Sequence, residues 1–576
     1  MTKRACDACR QRKIKCDQLS PTCSPCGLAS LLCTYDVPRR KRGPKPRDRP
    51  CDMNTSIEVE MGITGFDECQ TQGGPSFPSS PLSSPLSSRL SSLPPLAHGV
   101  HRMVGLESGI VNTAQPIVYY HEILSSLAKK GLTPEESVKS CINLYLEYVF
   151  PLIPVVCESI LRSHASLKLP PFMDKAFSPL SPLVPDMVHS VRTYSLTAAL
   201  CALIAHIKPC GDHPRDDTLA ALFLTSSQAT LHPYSAYDIS YPNSTSLSIR
   251  IFQSSCYQMM GNACLARHVM GEAVQLAQQM RLYDERSYDG MDPIEAKLCR
   301  NAFWYLYSAD RSASLLKERT LPLGEFRLQG LFTTVFCHSE APSLLDLCRP
   351  ENDGRFEELL LAGFRIGHEV WKLGFGVLFD LDLFFAASSR TGNGAEICHT
   401  QRKSLTEAYL RFVSVLDDLP DHLASPTAIR DADDERTRHK SRAFWIQKTN
   451  ITLTYHYLRM SILNRFISAK IPQLLGVNDD PTSVAWRKVE IARELLNLVT
   501  SLPLEALQAN GEPCAEKLRY VCVTLLEVMQ EQEMAQVVER ARAHFVLLLD
   551  YLSKLNSRVS DKLAASMTRM GTIIAA

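Results

Sequence analysis

Six cysteines near the start of the chain have a spacing that suits metal binding. Cys6, Cys9 and Cys16 form C-x2-C-x6-C, and Cys23, Cys26 and Cys33 repeat the unit at an offset of 17. A C-x2-C pair presents two thiolates to one ion from a tight turn, and the third cysteine returns after a short helix. Two tetrahedral zinc ions need eight ligand positions, which six thiolates fill only if two of them bridge. The symmetry of the repeat nominates Cys6 and Cys23 as the bridges. Six thiolates and two Zn²⁺ ions sum to −2, so the basic residues around them still leave a positive module able to approach phosphate.

The two half-units differ between their second and third cysteines. Cys9 and Cys16 enclose Arg10, Gln11, Arg12, Lys13, Ile14 and Lys15, whereas Cys26 and Cys33 enclose Gly27, Leu28, Ala29, Ser30, Leu31 and Leu32. The first insert is a short basic helix that can set a Lys or Arg against guanine O6 and N7 in the major groove. The second reads as packing support. A knot that only stabilises a fold has no use for cations crowded between its ligands.

Charge along the chain points the same way. Residues 1 to 50 hold 13 Lys and Arg against 4 Asp, a formal +9, while the remaining residues sum to −8. A polyanion partner therefore belongs at the N-terminal end. The opening MTKRACDACR has no apolar run after its first charges, and the apolar stretch from Cys141 to Cys157 is broken by Asn143, Glu147, Pro151 and Pro154. The expectation is a reducing, soluble compartment with no secretory signal and no membrane partner.

Residues 6 to 33 resemble the DNA-binding domain of the fungal binuclear zinc-cluster (Zn2Cys6) transcription factors. The resemblance implies two Zn²⁺ ions held by Cys6, Cys9, Cys16, Cys23, Cys26 and Cys33, bridging by the first and fourth cysteines, and a first helix that reads a CGG triplet. By position it carries the base-reading role to Lys13, with Arg12 beside it and Arg10 and Lys15 in the same segment. The run Arg39, Arg40, Lys41, Arg42 then leads into Gly43, Pro44, Lys45 and Pro46, which oppose helix and suit phosphate contact or nuclear import. Arg40, Lys41 and Arg42 are the expected phosphate contacts.

From Pro50 to Ser88 there is no Lys or Arg, and acids alternate with Met and Ile, which fits either an acidic spacer or a small activation segment. Between Gly73 and Pro95, 17 of 23 residues are Ser, Pro or Gly, too few apolar groups to bury a core. No heptad coiled coil follows the cysteines, so dimerisation is left open. The divisions expected are residues 1–50 for the zinc module with its basic tail, 51–115 for a disordered linker, 116–556 for an all-helical regulatory domain and 557–576 for a flexible tail.

From Ile117 to Lys554 the apolar pattern is helical. Ala266, Met270, Ala273, Ala277 and Met280 share one face. Asp292, Pro293 and Glu295 read as N-cap, first-turn proline and third-position acid, before a face of Leu298, Ala302, Tyr305 and Ala309. Leu144 to Val156, Gln258 to Leu282, and Phe303, Trp304, Asp310 and Arg311 resemble the fungal-specific regulatory, or middle homology, domain of the same family. Asp310 with Arg311 reads as a salt bridge at a helix end, the run Arg430 to Lys440 as a solvated loop, and Cys201, Cys264, Cys299 and Cys522 as core filler.

No H-E-x-x-H, G-x-S-x-G or P-loop pattern occurs, so no enzyme is expected. The fold class expected is an all-α regulatory domain preceded by a small two-zinc, six-cysteine DNA-binding module and a disordered linker. The function expected is a nuclear, sequence-specific transcription factor with double-stranded DNA and the transcription machinery as partners, its small-molecule effector left open. By resemblance it activates a secondary-metabolite gene cluster. A regulator of carbohydrate or nitrogen catabolism is one alternative, and a zinc-stabilised protein-interaction factor is another.

Overall fold

A computed structural model describes residues 6, 7, 9, 15–17, 22–28, 33–34, 115–165, 167–170, 185–207, 216–317, 342–349, 352–391, 398–427, 429 and 434–555. They fall in two units, residues 1–106 and 107–576. The expected boundaries near residues 50 and 556 and the Ser/Pro tract lie outside the described residues.

The first unit is organised around its cysteines, and helix α1 (Ser24–Leu28) carries Cys26. The Ser24 N–H, one of the donors left open at a helix start, is satisfied by both carboxylate oxygens of Asp17 at 3.1 Å. The Asp7 N–H donates to the Thr34 carbonyl at 2.8 Å and ties the two ends of the module together.

The second unit is helical, with no strand among the described residues. Its first part comprises α2 (Gln115–Lys129), α3 (Pro134–Leu144) running into a π turn at Tyr145–Val149, α4 (Glu158–Ser163), α5 (Pro185–His206), α6 (Asp217–Leu231) and α7 (Ser235–Ser240). Then come α8 (Ser244–Met259), α9 (Ala263–Gln279), α10 (Pro293–Lys317) and α11 (Gly354–Thr391). The last part comprises α12 (His399–Val413), α13 (Asp421–Ala424), α14 (Glu435–Ser468), α15 (Pro481–Ser501), α16 (Leu504–Ala509), α17 (Gly511–Glu531) and α18 (Ala535–Lys554). The last of them closes at the residue where the apolar period ends in the sequence.

Local chemistry sets the ends. Thr133 and Glu136 form a reciprocal capping box ahead of α3, with Pro134 in the first turn. Asp292 accepts from the Ile294 and Glu295 N–H groups, both at 3.0 Å, so α10 starts where the sequence places it. Between α8 and α9 the chain turns at Gly261, whose φ of 76° lies in the left-handed region, and the Asn262 N–H returns to the Tyr257 carbonyl at 2.9 Å.

Two apolar clusters share α14. Tyr457, Leu458, Ile462 and Phe466 belong to the larger one, which α2 through α13 fill, while Leu453, Met460 and Leu463 join the smaller one with α15, α17 and α18. α14 is therefore buried nearly all round along its middle, and no single apolar stripe marks it. α11 lies along it closely enough that a Cβ on Gly374 would meet Leu458 Cδ1 at 2.8 Å and Phe412 Cε2 at 2.9 Å. In α5, Asp186–His206 is long and apolar enough by composition to cross a membrane, but 78% of that window is buried against the rest of the helical unit. It packs as a core helix against α6 and α8.

Buried carboxylates tie distant segments. Asp238, fully buried, accepts from Arg192 Nε and Arg250 Nη1, each at 2.7 Å, and from Ser246 Oγ at 2.6 Å, joining α5, α7 and α8. Glu357 accepts from Lys297 Nζ at 2.5 Å and from the Leu344 and Leu345 N–H groups. Glu158 accepts from the Asp346 N–H at 2.9 Å, so residues 342–349 are held against both α4 and α11.

Three expectations need correcting. Within the run Arg430 to Lys440, Asp434 caps α14 and residues 435–440 form its first turns, where Arg436 and Lys440 both reach Asp353 at 2.7 Å. Asp310 and Arg311 stand 4.0 Å apart, not at a helix end but inside α10, with the Arg311 guanidinium 3.2 Å from the centroid of the Tyr307 ring. Cys201, Cys299 and Cys522 are buried core residues, but Cys264 is exposed on the first turn of α9.

Candidate metal centre and nucleic-acid interface

The six sulfurs converge. Cys6, Cys9, Cys23 and Cys26 are fully buried, and Cys16 and Cys33 half-buried. They make two sets of four, Cys6, Cys9, Cys16 and Cys23 in one and Cys6, Cys23, Cys26 and Cys33 in the other, with the ligand atoms of each set within 4.8 Å of one another. Cys6 and Cys23 are common to both. A tetrahedral zinc with Zn–S bonds of about 2.3 Å sets its sulfurs about 3.8 Å apart. Cys6 and Cys23 stand 3.7 Å apart, Cys9 and Cys23 3.5 Å, and Cys6 and Cys26 3.5 Å. The chemistry of the donors and their separations both fit two ions, one per set. Bound there, the ions would supply the positive charge and the cross-links among the six thiolates.

The backbone prepares the sulfurs. The Cys9 N–H donates to Cys6 Sγ at 3.4 Å and the Cys23 N–H to Cys33 Sγ at 3.5 Å. The first of these bonds draws the Cys6 thiol down to about 6, whereas burial pushes Cys9 up to about 12 and raises Cys23 and Cys26 as well. Thiols this close cannot all ionise together without a cation among them, and metal binding must therefore release protons.

Of the basic segment, Lys15 is described and exposed, immediately before Cys16. Lys13, Arg12, Arg10, Arg40, Lys41 and Arg42 lie outside the described residues. Asp17, which fixes the start of α1, was not anticipated as a supporting residue; its place directly after Cys16 is the one signal the sequence offers.

Comparison with known proteins agrees with this geometry. Residues 4–42 match the fungal Zn(2)-Cys(6) binuclear cluster domain, and residues 197–321 match the fungal specific transcription factor domain. The second match includes Phe303, Trp304, Asp310 and Arg311 and leaves out Leu144 to Val156. The maltose fermentation regulatory protein MAL13 of Saccharomyces cerevisiae is 60% identical over 61 residues, 10% of this chain and 13% of that protein. The abscisic acid cluster transcription factor abl7 of Leptosphaeria maculans is 48% identical over 44 residues, 8% of this chain and 7% of that one. The sorbicillinoid biosynthetic cluster transcription factor sor4 of Hypocrea jecorina is 25% identical over 199 residues, 34% of this chain and 27% of that one. The matched stretches thus span no more than about a quarter of these relatives' lengths. In one chain, a six-cysteine module matching the fungal Zn(2)-Cys(6) binuclear cluster domain is thus followed by a helical segment matching the fungal specific transcription factor domain.

Proposed function

We propose that the chain is a nuclear, sequence-specific regulator of transcription that binds double-stranded DNA at CGG-like sites and engages the transcription machinery, without catalysing a reaction. The observation that carries this is the pair of four-sulfur sets sharing Cys6 and Cys23, with the basic insert Arg10 to Lys15 between the second and third ligands. Such a frame can present a short cationic segment to base edges, and metal with six thiolates leaves the module positive. Lys13 reads the base in this account, Arg12, Arg10 and Lys15 support it, and Arg40, Lys41 and Arg42 follow the phosphates.

The genes we assign are those of a secondary-metabolite cluster. The similarity to the sorbicillinoid cluster factor covers 199 residues and so extends well past the zinc module, whereas the similarity to the maltose regulator covers 61 residues. Control of carbohydrate use is the second reading, favoured by the higher identity of that shorter match. Genome-wide mapping of bound sites with transcript profiling on deletion decides between them. Occupancy and lost expression confined to one biosynthetic cluster support the first, and occupancy at sugar-use genes supports the second.

Reading and holding separate experimentally. Lys13→Ala should remove about 1 to 3 kcal/mol of discrimination at its base pair while sparing most non-specific binding. Neutralising Arg40, Lys41 and Arg42 should weaken binding to every sequence and reduce the salt slope by about one unit for each phosphate that is no longer neutralised. Titrations of matched and mismatched duplexes at several salt concentrations measure both. Equal weakening on both duplexes by Lys13→Ala would move the reading role to Arg12 or Arg10.

A further inference from the structure

The helical unit holds a half-open cavity of about 740 Å³, within the range of small-molecule sites. Residues of α8, α9, α10, α11, α14 and α17 line it, with Leu203 of α5, Ile207 directly after that helix, Val149 and residues 151–153. Much of the wall is apolar, with Met270, Tyr305, Phe364 and Trp371 among its residues.

One wall residue stands out by charge. Lys517 is 6% exposed, and its Nζ donates to Asn450 Oδ1 at 3.1 Å and Thr454 Oγ1 at 2.7 Å, both neutral acceptors. No carboxylate lies within ion-pair reach of it among the described residues. Burial pulls its pKa down to about 8, which still leaves the ammonium protonated at neutral pH. Buried charges are ordinarily paired, because an unpaired one carries most of its desolvation cost uncompensated. The acids on the same wall have other partners: Glu516 accepts from Gln258 Nε2 at 3.3 Å, and Asp310 stands 4.0 Å from Arg311. Arg267, also on the wall, has a buried Nη1 with no hydrogen-bond partner.

We propose that this cavity binds an amphipathic carboxylic acid, the carboxylate meeting the Lys517 ammonium and the apolar body lying among Trp371, Tyr305, Phe364 and Met270. The ligand supplies the anion that Lys517 lacks and fills space that the side chains leave open. It also touches α9 and α10, inside the segment matched at residues 197–321, together with α17, outside it. Binding that favours one arrangement of these helices would shift the population toward it and make the regulatory unit responsive to the acid.

The test uses the full-length, zinc-loaded chain without DNA, so its outcome is separate from that of the DNA reading. Hexanoate, octanoate, decanoate and 2-naphthaleneacetate are titrated by calorimetry, each beside its primary alcohol. At least one acid should bind about tenfold more tightly than its alcohol, as one charge-assisted hydrogen bond implies. Lys517→Met should abolish that preference while keeping the alcohol's affinity. Gly271→Leu, whose Cβ would meet nothing within 4 Å, should weaken acid and alcohol together by growing into the cavity. No binding by any acid, equal affinity for acids and alcohols in the parent chain, or an acid preference that survives in Lys517→Met would overturn the proposal.

Discussion

Cys6→Ala and Cys23→Ala should each lower the zinc content of the chain from two ions toward none, while Cys9→Ala should leave about one. The difference follows from membership: Cys6 and Cys23 belong to both four-sulfur sets, and Cys9 to one. Losing a shared sulfur leaves two incomplete sites, whereas losing Cys9 leaves Cys6, Cys23, Cys26 and Cys33 intact. Because a structural zinc site of this kind supplies about 10 to 16 kcal/mol of apparent binding energy that is also folding energy, the doubly affected variants should lose the fold of the module and with it DNA binding. Metal analysis of the purified variants, with circular dichroism of residues 1–50 before and after zinc addition, reads the effect. Equal zinc loss in all three variants would mean that the two sites do not share Cys6 and Cys23.

In the helical unit the largest loss is expected at Asp238. Burial alone would raise the pKa of its carboxyl, but the Arg250 guanidinium, the Ser246 hydroxyl and Arg192 together hold it below the usual carboxylate range. Asp238→Asn keeps the shape and removes the charge, leaving Arg192 with the Tyr241 carbonyl and Arg250 with the Ser246 carbonyl at 3.0 Å and Glu272 at 3.3 Å. Breaking one side of such a buried network should cost about 3 to 5 kcal/mol, read as a lower denaturant midpoint. The sign of the pH dependence follows from the depressed pKa. The stabilisation is complete above the unfolded carboxylate pKa of about 4 and is lost as pH falls through the lower folded value. The variant should therefore lose less stability than the parent between neutral pH and pH 3. A variant as stable as the parent at pH 7 would show that the network contributes nothing.

What the sequence makes legible is what depends on neighbours along the chain. The offset of 17 between the cysteine triplets already nominates Cys6 and Cys23 as shared ligands, and the structure brings those sulfurs to 3.7 Å. Asp292 and Pro293 mark the start of α10 because capping is settled within three residues. The role of Glu295 is not local. Rather than returning to its own cap, its carboxylate accepts from the Ser244 N–H at 2.7 Å and from the Ser244 hydroxyl at 2.5 Å, across 51 residues, and so holds the start of α8. The charged run before Ala443 looks like a loop because it has no apolar period, yet its residues 435–440 are helical, and Asp353, far away in sequence, collects Arg436 and Lys440. The cavity is the least legible feature. Its walls come from α8, α9, α10, α11, α14 and α17, and Lys517 looks in sequence like any cation on an amphipathic helix.

If the zinc-dependent module gives this chain its proposed sequence-specific hold on DNA, that hold should depend both on the triplet and on the metal. Fluorescence anisotropy of the full-length protein on a CGG-containing duplex and on the same duplex with the triplet scrambled, at one fixed salt concentration and with and without a zinc chelator, tests it most directly. Tight binding to the CGG duplex is expected, weaker by about 1 to 3 kcal/mol for each mismatched base pair, with the preference lost when zinc is removed. Equal affinity for the two duplexes, or a preference that survives chelation, would contradict it.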